Sequence, residues 1–454
     1  MVLKTVAKVL GMLFLPLSAN LWAQPVEAVL DNGMKVIVKQ DSRAPVAVSQ
    51  LWYRVGSVDE VNGRTGLSHL LEHMMFKGTA QVPAGEFSRL IAQAGGKDNA
   101  FTSRDYTVYF QQLAAGSLPL ALKLEADRMA HLNFANDAFK SELEVVKEER
   151  RWRTDDQPTG VLMESLYASA FVADPVRYPV IGWMDDLQHM QPDDLRQWYR
   201  HWYAPNNATL VVVGDVDPQA VIAEARRQFG ALPKVAVPER RPQQEPAQTG
   251  ERRLRVKAPS RLPYLAMAWK APRLQQVNEP LPYAYTMLAA ILDGQEASRL
   301  SRVLVREQQV AQAVSANYSP LSRGGALFVI SAAPAQGKTV RQLETAIRQE
   351  IARIARDGVS AEELQRVRRQ LQADKVYEQD SMFAQAMQIG SFESLGFSWR
   401  DDAVMDANLA KVSSREVQQA ARQLIDDSLT VVTLDPQPTT LSQGAALKGD
   451  SYVR

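Results

Sequence analysis

Two histidines and a glutamate within five residues constrain this chain more than any other feature of its sequence. His69, Glu72 and His73 lie in the segment Gly-Leu-Ser-His-Leu-Leu-Glu-His-Met-Met-Phe-Lys-Gly-Thr, residues 66–79. The surrounding apolar residues predict a helix, on which positions four apart share one face. The two imidazoles would then reach one metal ion, with the glutamate at the edge of the same face. The alternative is an amphipathic core helix that carries two histidines by chance, although the 454-residue chain has only five.

The order of these residues, His-x-x-Glu-His, reverses the zinc-protease pattern His-Glu-x-x-His. A catalytic zinc site has three protein ligands and keeps a fourth position open for water. Two histidines therefore need a third ligand from elsewhere in the fold. The helix predicted for residues 137–153 is the richest source of carboxylates in the same half of the chain.

Glu142 and Glu149 in that helix are seven residues apart and share a face. Val145 and Val146 lie between them, and we expect both to point towards the core. One glutamate could bind the metal while the other accepts a hydrogen bond from a histidine ligand and so orients its ring. The alternative for this charged run is a solvated helix face with internal ion pairs.

The N-terminus predicts export. Lys4 and Lys8 precede a short apolar run, and small residues follow up to Ala23. This is the pattern of a secretory signal, residues 1–23, with cleavage expected after Ala23. A membrane anchor is the alternative, but about nine apolar residues fall short of the roughly 20 that a spanning helix needs. We expect a protein exported to the bacterial periplasm, with no membrane span in the mature chain.

The amino-acid composition bears on two further points, a nucleic-acid partner and disulfide bonds. The net charge is +1, which gives no electrostatic reason to expect nucleic acid as a partner. The chain has no cysteine, so no disulfide is available in an oxidising compartment.

The order of predicted elements recurs in the two halves of the chain. A helix, a turn, an apolar strand and an Asp-Pro pair occur in residues 193–218 and again in residues 414–436. Residues 233–253 contain four prolines and read as a linker. We predict an α+β fold of two homologous domains, residues 24–232 and 254–454, each a mainly antiparallel sheet packed with helices. The second half has no histidine, so the metal site belongs to the first domain alone.

These motifs resemble the pitrilysin/insulinase family of inverted zinc metallopeptidases, and in particular its shorter branch, which includes the mitochondrial processing peptidase. The resemblance covers nearly the whole mature chain. It is most specific in residues 66–79 and in the Glu-Leu-Glu-Val-Val-Lys-Glu-Glu segment, residues 142–149.

The resemblance implies one Zn²⁺ per chain, held by His69, His73 and Glu149. Glu72 matches the general base, and Glu142 matches the glutamate that supports a histidine. Glu148 is the competing choice for the third ligand.

The resemblance also implies a strand that pairs with the substrate backbone. Asn99, Ala100 and Phe101 match this edge strand, although Asn99 could equally be a turn residue after the preceding glycines. Peptides are the expected substrates.

One part of the family pattern is incomplete. Arg306 matches an arginine that helps to hold the substrate carbonyl, yet the tyrosine expected seven residues later is Ala313. Tyr318 is the nearest tyrosine and is out of register. In relatives with two chains the missing residue can lie on the other subunit, so a homo- or heterodimer with a related Arg/Tyr-bearing subunit is expected. Arg306 could also be no more than a surface residue of its helix.

The expected function is therefore an exported zinc-dependent endopeptidase that hydrolyses peptides or small unfolded proteins. The alternative is a non-catalytic or partner-dependent subunit of a peptidase complex that binds peptides. A structural zinc domain is disfavoured, because structural sites usually have four protein ligands and often cysteine.

Overall fold

The computed structural model describes residues 24–241, 243–295 and 297–438. The predicted signal peptide, residues 1–23, lies outside these ranges, as do the last residues of the predicted second domain, 439–454. Among the described residues, each helix is too short or too polar to cross a bilayer.

The first half alternates strands and helices. Its strands are β1 Val26–Val29, β2 Lys35–Gln40, β3 Val46–Tyr53, β4 Lys97–Thr102, β5 Thr107–Ala114 and β6 Ala208–Gly214. Its helices are α1 Leu67–Met74, α2 Glu86–Gln93, α3 Leu118–His131, α4 Asn136–Arg150, α5 Pro158–Ala170, α6 Met184–His189, α7 Pro192–Trp202 and α8 Pro218–Phe229. Helix α4 continues into a π-helical segment, Arg151–Asp155.

The second half is built in the same way. Its strands are β7 Arg252–Pro259, β8 Tyr264–Ala271, β9 Ala311–Asn317, β10 Ala326–Pro334 and β11 Leu429–Gln437. Its helices are α9 Pro280–Asp293, α10 Val340–Asp357, α11 Ala361–Glu378, α12 Met382–Leu395, α13 Asp402–Lys411 and α14 Ser414–Gln423. A π-helical segment, Ser301–Glu307, precedes β9.

The two sheets repeat one topology. The strand orders are β1-β2-β6-β3-β5-β4 and β7-β11-β8-β10-β9. The last strand of each half, β6 or β11, pairs parallel with one neighbour, β2 or β7, and antiparallel with the other, β3 or β8. The remaining neighbours pair antiparallel. The predicted α+β fold of two related, mainly antiparallel sheets packed with helices is confirmed.

The first sheet receives a helix from the second half on one of its faces. Strand residues alternate between faces, so Ile37, Trp52 and Val213 point away from the helices of their own half. They pack with Ala386 and Ile389 of α12. The opposite face of this sheet packs on α1, α3, α4, α7 and α8.

The second sheet receives helix α5 from the first half in return. Leu166 and Ala170 of α5 pack with Ala268, Val329 and Val432 of β8, β10 and β11. Each half therefore contributes one helix that covers a face of the other half's sheet; we call α5 and α12 the exchanged helices.

The predicted linker is packed onto its neighbours. In the described part of residues 233–251 there is no helix or strand, while Arg252 and Arg253 already belong to β7. Glu245 accepts hydrogen bonds from the backbone N–H groups of residues 172–174 and forms an ion pair of 2.6 Å with Lys270. Burial alone would raise the pKa of Glu245, but these donors lower it to about 2. The predicted domain limits stay a prediction.

Candidate metal centre

Helix α1 begins at a buried carboxylate. The first N–H groups of a helix have no partner within it. Glu60 accepts hydrogen bonds from the backbone N of Gly66 and of Ser68, each at 2.7 Å. Gly66 has a φ of 89°, and a Cβ there would lie 2.8 Å from the carbonyl oxygen of Ile181. The start of the histidine-bearing helix is thus fixed by contacts that need glycine.

The two histidines project from α1 towards α4. The Nε2 atom of His73 lies 3.2 Å from Oε2 of Glu149, and the Nε2 atom of His69 lies 3.8 Å from Oε1 of the same carboxylate. One donor atom from each of the three side chains lies within 4.8 Å of the others. The structure therefore brings together the two predicted histidines and Glu149.

Glu149 and Glu148 project from α4 in different directions. The side chain of Glu149 is 14% exposed, whereas that of Glu148 is 69% exposed and pairs with Arg151. The expectation that Val145 and Val146 both face the core is half wrong. Val146 is fully buried, but Val145 is 46% exposed, because adjacent helical residues point about 100° apart.

The donor set fits zinc. Glu142 Oε2 lies 3.3 Å from Nδ1 of His73, which leaves the Nε2 atom of that ring as the donor towards a metal. Burial, together with the charge of His73, lowers the pKa of His69 to about 4, so this imidazole is neutral near pH 7. Two imidazole nitrogens and one carboxylate, with a fourth direction open, are the ligand set of catalytic zinc sites.

Lys77 extends this chain of contacts behind His73. Its Nζ lies 2.5 Å from Oε1 of Glu142, the glutamate that contacts the ring. The sequence analysis did not single out Lys77, which lies four residues after His73, just past the end of α1.

Glu72 is held by a threonine that the sequence reasoning also did not select. Thr102 Oγ1 donates to Oε2 of Glu72 at 2.5 Å. Burial raises the pKa of Glu72, against the lowering effect of this hydrogen bond. Thr102 ends β4 directly after the predicted edge-strand residues, so its position in the Asn-Ala-Phe-Thr segment was the available signal.

Asn99, Ala100 and Phe101 lie in strand β4 and not in a turn. Strand β4 is the outer strand of its sheet and pairs with β5. Asn99 Oδ1 accepts a hydrogen bond from the backbone N of Ala100 at 2.8 Å. A role of these residues in binding substrate stays a prediction.

Arg306, the residue predicted to hold the substrate carbonyl, does not line the cavity at the metal centre, and its role stays a prediction. Arg306 is exposed in the π-helical segment Ser301–Glu307, and Ala313 is in β9 opposite Ala333. Tyr318 donates its hydroxyl to the carbonyl oxygen of Pro272 at 2.5 Å. None of these three is among the described residues that line the cavity next to His69 and Glu149.

Comparisons with known proteins agree with the motif. Residues 35–182 match the family model described as insulinase (peptidase family M16), and residues 189–371 match that of the peptidase M16 inactive domain. Zinc protease PqqE of Helicobacter pylori is 34% identical over 344 residues, which are 73% of this chain and 77% of that protein. The uncharacterized zinc protease YmxG of Bacillus subtilis is 25% identical over 89% of this chain and 97% of its own length.

Solved structures agree as well. The crystal structure of a protease from Helicobacter pylori has a TM-score of 0.86 and 28% identity, covering 91% of this chain and all of that one. The periplasmic protease PqqL from Escherichia coli has a TM-score of 0.76 over 91% of this chain and 48% of its own. At 20% identity, the likeness to PqqL concerns the fold alone. The family expected from the motifs is confirmed, and the chain belongs to the insulinase family, peptidase family M16.

Proposed function

We propose that this protein is an exported zinc-dependent endopeptidase. A metallopeptidase at the level of the family follows from the M16 match and from relatives named zinc proteases. The observation that carries the finer proposal is the convergence of His69, His73 and Glu149 beside Glu72.

The three converging side chains would hold one Zn²⁺, with Glu142 orienting the ring of His73. A zinc ion held there supplies Lewis acidity, which lowers the pKa of water and polarises a peptide carbonyl. Glu149 brings one negative charge and the imidazoles bring none, so the site keeps a net positive charge.

Glu72 acts as the general base. Burial raises the pKa of Glu72. A general base is most effective when its pKa lies near the working pH, so this direction favours the role. It takes a proton from the attacking water and then passes that proton to the leaving amine. Thr102 keeps the carboxylate in one orientation during both transfers.

Strand β4 would bind the substrate as an added strand. The outer edge of a sheet offers unpaired backbone groups to an extended peptide. Asn99, Ala100 and Phe101 would contact the peptide there, and Thr102 ends the strand next to Glu72. Extended peptides and small unfolded proteins fit this mode of binding.

Export rests on the predicted signal, residues 1–23. The similar Escherichia coli protease is described as periplasmic, a location that agrees with export of this chain.

A partner-dependent subunit is the second candidate. Ala313 stands where the family pattern has a tyrosine, and the hydroxyl of Tyr318 already donates to Pro272. A homo- or heterodimer would then bring an Arg/Tyr pair from a related subunit, while this chain brings the zinc ligands and the base.

Glu72→Gln tests the proposed function. We expect the variant to keep stoichiometric zinc and to lose at least about two orders of magnitude in peptide cleavage, the range of a general acid–base group. Glu144→Gln, at an exposed position of α4, is the matched control and should cleave like the wild type.

The assay is run on the chain alone and with any co-purifying partner. Cleavage only in the presence of a second subunit would favour the partner-dependent candidate. If the wild type binds stoichiometric zinc and cleaves no peptide library in either state, the enzyme proposal is wrong.

A further inference from the structure

We propose that the cavity beside the metal centre selects peptides with an aspartate or glutamate next to the scissile bond. This inference rests on the proposed peptidase function and names its substrate class. The cavity has a volume of about 420 Å³. His69, Glu149 and Thr102 form the side of the cavity at the metal centre. Three arginines, Arg104, Arg153 and Arg177, also line it, and we call them the arginine wall.

Arg104 is held in place without a carboxylate. Its Nε donates to the carbonyl oxygen of Val176 at 3.2 Å, and its guanidinium lies over the ring of Tyr167, 3.9 Å from the centroid. Among the described residues, no carboxylate lies within ion-pair distance of it. Since a guanidinium carries five N–H groups, the backbone contact leaves donors for a ligand.

Arg177 is placed in a similar way. Its Nη1 donates to the carbonyl oxygen of Val172 at 2.8 Å. Its Nε is buried and, within the described part of the chain, has no hydrogen-bond partner. Because this Nε is closed off from solvent, a carboxylate entering the cavity would meet the remaining Nη donors of Arg177.

The two carboxylates among the described residues that line the cavity, Glu149 and Glu164, already form ion pairs, one of them with Arg153 of the arginine wall. Glu149 pairs with Arg153 at 2.6 Å. Glu164, which also lines the cavity, is bound by both Nη atoms of Arg150 at 2.8 and 2.9 Å. Arg104 and Arg177 therefore form no ion pair with these two carboxylates, and a concave surface strengthens the effect of their charges on an entering side chain. The cavity favours a carboxylate and disfavours a lysine or arginine.

A carboxylate could come from an acidic side chain or from the C-terminus of a short peptide. The cavity continues into a second one of about 470 Å³, and Arg104, Tyr167 and Val180 line both. Asn317 and Ser322 of the second half line the far part of this groove. Because the groove extends past the arginine wall, a chain has room on both sides of the selected residue. This favours an internal acidic side chain.

The test uses quenched fluorescent peptides capped at both ends, in which one position is Asp, Glu, Asn, Gln or Lys. We expect kcat/KM for the acidic peptide to exceed that of its amide analogue by about tenfold or more, as for a hydrogen bond to a charged group. The lysine peptide should be the poorest substrate. Uncapped peptides that carry the carboxylate only at the C-terminus should show no such gain, and a gain confined to them would overturn the assignment to a side chain.

Arg104→Gln and Arg177→Gln should bring the acid-to-amide ratio close to one. Arg227→Gln, at an exposed position of α8 that pairs with Glu224, is the matched control and should leave the ratio unchanged. If a glutamine variant fails to fold, the wild-type ratio decides alone. Cleavage by the wild type without preference for acidic peptides overturns this inference and leaves the peptidase proposal intact.

Binding separates the two proposals further. The zinc-loaded Glu72→Gln protein should bind the acidic peptides about tenfold more tightly than their amide analogues, measured by fluorescence anisotropy. Tighter binding of acidic peptides without any cleavage by the wild type would support a carboxylate-binding site in the cavity, but it would overturn the peptidase function and with it selection at a scissile bond. Equal binding of the two sets overturns the inference itself.

Discussion

His73 uses both of its ring nitrogens, one towards Glu142 and one towards Glu149. Burial alone would lower the pKa of His73, but the two carboxylates raise it above the usual value for histidine. Glu149 shows the matching effect, because the two imidazoles lower its pKa against the effect of burial. Each side chain is therefore held by charges from another helix.

Glu149→Ala should remove a zinc ligand, and Glu148→Ala should not. We expect zinc affinity to fall by at least about 100-fold in the first variant, because even residues behind the ligands cost 10- to 100-fold. Zinc per chain after dialysis against a metal buffer measures this. Glu148 is largely exposed and serves as the matched control. Loss of zinc from Glu148→Ala, with zinc retained in Glu149→Ala, would refute the assignment.

The exchanged helices, α5 and α12, join the halves through close apolar contacts. Helix α12 carries Gly390 at the point where it crosses the first sheet. A Cβ at Gly390 would lie 2.0 Å from Cε2 of Trp52, a ring that is almost fully buried. The close approach of this helix therefore depends on the missing side chain.

Gly390→Ala should destabilise the protein. Alanine is favoured over glycine in a helix by about 1 kcal/mol, so helix propensity alone predicts the opposite sign. The clash with Trp52 should outweigh this and lower the free energy of unfolding by about 1–3 kcal/mol, the usual cost of overpacking. Urea denaturation measures the difference. Gly116→Ala, where a Cβ meets nothing within 4 Å, is the control. A more stable Gly390→Ala protein would contradict the packing of α12.

An ion pair and a hydrogen bond connect the two halves at the loop that follows β4. Arg323 of the second half binds Asp59 of the first, with Nη–Oδ distances of 2.9 and 2.6 Å. Its backbone N also donates to Oδ1 of Asp105 at 2.9 Å, in the turn between β4 and β5. Burial raises the pKa of Asp59, but the Arg323 guanidinium outweighs this and holds it below the usual value. The pair thus fixes the second half against the loop that follows Thr102.

Arg323→Met should lower the free energy of unfolding, and by more at neutral pH than at low pH. Removing one partner of a buried ion pair costs about 3–5 kcal/mol. Arg240 Nε, 2.8 Å from Oδ1 of Asp59, still compensates part of this charge, so we expect a loss near the lower end of that range. Because the pKa of Asp59 is lower in the folded than in the unfolded protein, its stabilising effect is complete above the unfolded value of about 4. It is lost as the pH falls through the lower folded value.

The difference in unfolding free energy between wild type and Arg323→Met should therefore shrink at low pH. Urea denaturation at pH 7 and at the lowest pH where both proteins fold measures it. Arg227→Met is the control, since its pair with Glu224 is at the surface. An equal difference at both pH values would show that Arg323 acts by packing and not through the charge of Asp59.

The sequence by itself determined the arrangement within each element. The spacing of His69, Glu72 and His73 placed three groups on one helix, and that of Glu142 and Glu149 placed two carboxylates on one face of another. These features depend on helical and strand periodicity, which acts over a few residues. The recurrence of a helix and a strand at the end of each half also indicated the repeated sheet.

Only the tertiary structure decided which elements meet. It brought Glu149 and not Glu148 to the histidines, placed Thr102 against Glu72, and gathered the arginine wall from separate segments. It also exchanged α5 and α12 between the sheets. Such contacts depend on the packing of residues far apart in the chain, and a local pattern does not specify them.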